Sequence, residues 1–99
     1  MAENNAKIEV PKTGEALLYF SAPWCGPCRS FGPLLEKVCV AGGLNVIKIN
    51  VDENPDFVYE SQIRSVPTIQ IVRDGTVLCT AIGAMSEGQL KDWLNEKAA

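Results

Sequence analysis

Ninety-nine residues, 46% hydrophobic and 21% charged, make one domain's worth of chain, which excludes two independent cores and argues against disorder. Nine Lys and Arg against twelve Asp and Glu leave a net charge of −3, which speaks against a nucleic-acid backbone as partner. The absence of His removes Cys–His and Ser–His–Asp catalysis, His-ligated zinc and His-ligated haem together.

Residues 1–99 read as a single domain with a polar start, Met1–Ala6, expected to fray. That start lacks the apolar stretch of a secretory signal, and the longest apolar runs are too short to span a membrane, so a cytoplasmic location is expected. Ile8 and Val10 alternate with charged residues and predict a short edge strand, ended by Pro11 and turned at Thr13-Gly14. Ala16–Ser21 is a continuous apolar run, the pattern of a strand buried on both faces.

From Cys25 to Val40 the residues Phe31, Leu34, Leu35 and Val38 recur at helical spacing, and Gly42-Gly43 marks the stop. Pro27 suits the first turn, where its missing N–H costs nothing, whereas Pro33 lies mid-pattern and predicts a kink. Leu44–Val51 alternates and reads as the next strand. Asn54-Pro55 then opens a short helix carrying Phe57 and Val58.

Thr68–Val72 is β-branched, Asp74-Gly75 is a hairpin turn, and Thr76–Ile82 is its partner strand. Ser86-Glu87-Gly88-Gln89 has the spacing of a capping box and opens a last helix in which Leu90, Trp93 and Leu94 share a face. The predicted order is β-β-α-β-α-β-β-α: an α/β fold whose central mixed sheet, flanked by helices, has its middle strands parallel.

Four cysteines remain, Cys25, Cys28, Cys39 and Cys79. In Trp24-Cys25-Gly26-Pro27-Cys28 a two-residue gap puts two sulfurs in one helical turn, within reach of a bridge. Cys25 falls where unpaired N–H groups and the positive end of the helix dipole favour a thiolate, the species that attacks disulfides. Cys28, one turn inside, is expected to be more sheltered and placed to resolve the mixed disulfide that Cys25 forms. A Cys-x-x-Cys pair is also half of a zinc site, but Cys39 and Cys79 form no second pair and no His is present, so no metal is expected. Cys39 and Cys79 read as small core residues.

Together these residues resemble the thioredoxin family. The motif is followed in register by Pro33, Lys48, Asp52, Asn54-Pro55, Val66-Pro67-Thr68, Asp74-Gly75 and Gly83, and the resemblance runs from about Ala16 to the C-terminus. It implies a thioredoxin-like fold and a protein-disulfide reductase with Cys25 as nucleophile, Cys28 as resolving cysteine and a reversible Cys25–Cys28 disulfide. It further implies no bound cofactor, electrons from NADPH through a thioredoxin reductase, disulfide-containing protein targets and a monomer. Pro67 is expected in cis, with the Val66 backbone pairing an extended substrate segment. Trp24, Gly26, Pro27, Val66, Pro67 and Gly83, with Ile82 and Ala84, would form the apolar docking rim. A non-redox binding subunit using the same rim is the alternative reading, which two positioned thiols argue against.

Two departures stand out. Thioredoxins carry a helix between their first two strands, whereas here only Pro11–Glu15 separates them, so that helix is expected to be missing or reduced and one sheet face less covered. Tyr19, six residues before Cys25, takes the place of the family's buried Asp, leaving Lys48 without its acid partner. Tyrosine is a poor base at neutral pH. Either Cys28 loses its proton through water or with help from Lys48, or Tyr19 merely fills a core slot with its hydroxyl hydrogen-bonded.

Overall fold

The computed structural model describes residues 8–97. Its elements are β1 (Glu15–Ser21), α1 (Gly26–Ala41), β2 (Asn45–Asn50), α2 (Pro55–Glu60), β3 (Thr68–Arg73), β4 (Thr76–Ile82) and α3 (Glu87–Lys97). The expected fraying of Met1–Ala6 lies outside the described residues.

The expected strand at Ile8–Val10 is not formed. The sheet runs β2-β1-β3-β4, and residues 8–10 add no strand to it. Ile8 and Val10 nevertheless pack side chains against the sheet face formed by Ala16, Leu18, Phe20, Ile49 and Val72. Alternation reports which side chains are half-buried; it does not guarantee a ladder partner. The same face is closed by α2, whose Phe57 ring stacks on Phe20 at 6.0 Å, and by Val58. No helix precedes β1 among the described residues.

A second correction concerns strand direction. β1 and β2 are parallel, but the central pair β1–β3 and the pair β3–β4 are antiparallel. Parallel return requires the chain to travel the full length of a strand between them. α1, with 16 residues, does so between β1 and β2, whereas α2, with six, stays at one end of the sheet, and β3 enters there beside Phe20.

The buried face of α1 explains its position. Phe31, Leu35, Val38 and Cys39 join Leu17 and Tyr19 of β1, Ile69 and Ile71 of β3 and Leu90 of α3 in one cluster, with Trp93 and Leu94 at its margin. The helix is continuous through Pro33, which withdraws the N–H that the Arg29 carbonyl would have used. It ends in a Schellman motif: Leu44 N–H bonds the Cys39 carbonyl at 2.8 Å, Gly43 N–H bonds that of Val40 at 3.0 Å, and Gly43 takes φ +75°. At the hairpin, Asp74 (φ 52°) and Gly75 (φ 82°) both adopt the left-handed backbone of a type I′ turn. The capping box closes as its spacing predicts: Ser86 N–H donates to Gln89 Oε1 at 3.0 Å, and Gln89 N–H donates to Ser86 Oγ at 3.2 Å.

Candidate active site

β1 delivers the chain to the start of α1, and Cys25 is the N-cap residue of that helix. Its sulfur accepts the Cys28 N–H at 3.2 Å, satisfying one of the amide donors a helix start leaves unpaired. No acidic residue stands in the first turn to oppose negative charge there, and Pro27 occupies that turn beside Gly26. Cys25 and Cys28 are joined in a disulfide, with Cα atoms 5.3 Å apart.

Cys28 is not the more sheltered of the two, contrary to expectation. Cys25 is 4% exposed and Cys28 7%, and both pack in one small cluster with Ala22, Val51 and Val66. Trp24 is 65% exposed, and its indole N–H donates to Asp52 Oδ2 at 2.9 Å, which ties the ring to the loop after β2. The Val66–Pro67 bond is cis, as expected. Gly83, at φ 96°, donates its N–H to the Pro67 carbonyl at 2.9 Å and so holds the end of β4 against that segment. Ile82 beside it is exposed. Val66, Pro67 and Gly83 are thereby brought to the same end of the sheet as the cysteine pair, some forty to sixty residues away in sequence.

Tyr19 lies behind the motif, 1% exposed, with its hydroxyl donating to the Cys28 carbonyl at 3.3 Å and its ring edge-on to Phe31. Burial pushes its phenol above the ordinary value of 10.0; a hydrogen bond with Ser21 pulls it down, and the charge of Glu36 adds to the rise. It is thus a neutral donor at any ordinary pH. Its ring is buried and its hydroxyl hydrogen-bonded. Lys48 is in register with Tyr19 across the parallel pair and is exposed at a cleft of about 630 Å³ that Cys28, Tyr19, Gly32 and Glu36 also line.

Gly32 and Glu36 are site neighbours that sequence reasoning missed. Their spacing from Cys28, four and eight residues on one helix, was the available signal. Cys39 is buried, and burial raises its thiol to about 11. Among the described residues no three Cys, Asp or Glu converge on a point where a metal ion could be held, and no helix is long and apolar enough to cross a membrane.

Comparison with known proteins finds a family match described as Thioredoxin over residues 1–96. The thioredoxin of Haemophilus influenzae is 38% identical over 82 residues, covering 81% of this chain and 77% of that protein. That of Rhodospirillum rubrum is 44% identical over 77 residues, covering 76% and 74%. The thioredoxin of Porphyra purpurea is 40% identical over 82 residues, covering 81% and 77%.

Proposed function

The chain belongs to the thioredoxin family and is a thiol-disulfide oxidoreductase that reduces protein disulfides; from that premise we propose how its residues divide the work. Cys25, as thiolate, attacks one sulfur of a target disulfide; a Cys25–target bond forms, and the target's other sulfur leaves as a thiolate that takes a proton from solvent. Cys28 then attacks the Cys25 sulfur, the Cys25–Cys28 bond forms, and the second target sulfur departs. The target gains two electrons and the protein is left oxidised. The observation that carries this assignment of roles is the Cys25 sulfur at the N-cap of α1, accepting an amide N–H. A helix start and an amide donor of this kind favour negative charge on the sulfur they face.

Trp24, Gly26, Pro27, Val66, Pro67 and Gly83 form the docking rim, with the Val66 backbone pairing an extended target segment. Tyr19 anchors the Cys28 backbone and Lys48 supplies positive charge at the cleft behind it. The chemistry needs no bound cofactor. Electrons return to the Cys25–Cys28 bridge from NADPH through a thioredoxin reductase, and the protein works as a one-domain monomer in the cytoplasm.

Reduction of insulin disulfides with a dithiol donor tests the assignment. Cys25→Ser is expected to abolish turnover, and Cys28→Ser to accumulate covalent complexes with targets. Turnover that survives Cys25→Ser, or Cys25 alkylating near pH 7 no faster than a free thiol, overturns it.

A further inference from the structure

Resolution requires the Cys28 thiol to lose its proton, and Tyr19, a neutral donor already committed to the Cys28 carbonyl, cannot take it. Cys28 lines the cleft behind the motif. At roughly 30 Å³ per water, about 630 Å³ is ample for a hydrogen-bonded water chain. Seven of the residues around it set its chemistry: Cys28, Arg29, Gly32 and Glu36 from α1, Tyr19 from β1, Lys48 from β2 and Glu53 from the loop after β2.

Two of these are carboxylates, and α1 distinguishes them. Cys28, Gly32 and Glu36 follow at intervals of four along one side of the helix, and helical side chains lean toward the N-terminus, for Glu36 the direction of Gly32 and Cys28. At the level of Gly32, which has no side chain, stands the Tyr19 hydroxyl, between the Glu36 and Cys28 turns. Glu36 is close enough for its charge to bear on that hydroxyl. Glu53 lines the cleft from the loop after β2, outside that helix. The Lys48 and Arg29 charges offset those of the two carboxylates.

We propose that Glu36, acting through water in this cleft, takes the proton of Cys28 as the mixed disulfide is resolved. The inference rests on Cys28 being the resolving cysteine. As the Cys25–Cys28 bond forms and the target sulfur leaves as a thiolate, the proton passes from Cys28 to water to Glu36, and from Glu36 to solvent, where the departing thiolate is protonated. Glu36 touches neither sulfur; it positions the exit of the proton.

The test is a single-turnover experiment. The reduced protein is mixed with a labelled peptide disulfide, quenched in acid at intervals from pH 6 to pH 10, and the Cys25–peptide adduct is quantified by mass. Glu36→Gln, at an exposed position, is expected to leave adduct formation unchanged and slow its decay about tenfold at pH 7. The difference should narrow toward the alkaline end of that range, as more of the Cys28 thiol ionises without help. Glu36→Asp should recover part of the rate, and Glu53→Gln should match the parent. Decay in Glu36→Gln that overlays the parent at every pH, or a Glu53→Gln variant that reproduces the defect, overturns the proposal. Cys28→Ala separates the two levels: adduct decay as fast as the parent's in that variant would remove the resolving role itself, whereas Cys28-dependent decay indifferent to Glu36 removes only the inference drawn here.

Discussion

The Tyr19 hydroxyl oxygen lies 3.3 Å from the point that a β-carbon on Gly32 would occupy. A bulky residue on β1 and a residue without a side chain on α1 are therefore one packing unit, and helix and sheet approach closely behind the cysteine pair because of it.

Gly32→Ala should consequently destabilise the protein, although it improves helix propensity by about 1 kcal/mol. Tyr19 is fully buried, edge-on to Phe31 and hydrogen-bonded to Cys28, so it cannot retreat, and crowding of this kind costs about 1–3 kcal/mol. A net loss of roughly 1 kcal/mol is expected from urea unfolding. In a Tyr19→Phe background the nearest ring atom is 3.5 Å away, an ordinary contact, and the same Gly32→Ala change should become stabilising. Failure of the sign to reverse would mean that the ring rather than the hydroxyl limits the space.

Alkaline stability carries a second prediction. The Cys39 thiol is raised from 9.0 to about 11 by burial, and the Tyr19 phenol is raised above 10.0 mainly by burial. Both groups hold their protons more tightly when folded. Their contribution is therefore fully present below the unfolded values and is lost as pH rises through the folded ones. For Cys39 the loss between about pH 9 and pH 11 should be on the order of 2–3 kcal/mol, by the conversion of about 1.4 kcal/mol per unit. Chemical unfolding of the oxidised protein from pH 7 to pH 11 should show this fall, and Cys39→Ala should flatten most of it. An equally steep fall in that variant would exclude Cys39 as its source.

The capping box of α3 should be worth about 1 kcal/mol, so Ser86→Ala should lower the melting temperature by roughly 4–8 °C. The effect reaches global stability because α3 inserts Leu90, fully buried, into the main core. Calorimetry checks it, and an unchanged melting temperature would mean that water replaces the hydroxyl at no cost.

At the rim, Asp52→Ala should change stability by less than about 0.5 kcal/mol, since both partners are exposed. It frees the Trp24 indole, and re-ordering such a side chain on docking costs about 0.5–1.5 kcal/mol. KM for a protein disulfide should rise about two- to tenfold with kcat unchanged, while Asp52→Asn, which keeps an acceptor, should stay near the parent. A fall in kcat instead would place Asp52 in the chemistry.

What sequence alone determines here is local. The Cys-Gly-Pro-Cys turn, the Asp74-Gly75 hairpin, the capping box and the helix stop at Gly42-Gly43 are each decided by hydrogen bonds and dihedral preferences within a few residues, and each is formed as read. The apolar run of β1 likewise announces its burial on both faces. Tertiary structure alone decides that Ile8 and Val10 pack without a ladder, that β1 and β3 run antiparallel, that both sulfurs are buried alike, and that Gly32, Glu36 and Lys48 meet Tyr19 at one cleft. Those outcomes depend on which surfaces far apart in the chain exclude water from one another. That competition is between whole elements, and no window of a few residues contains it.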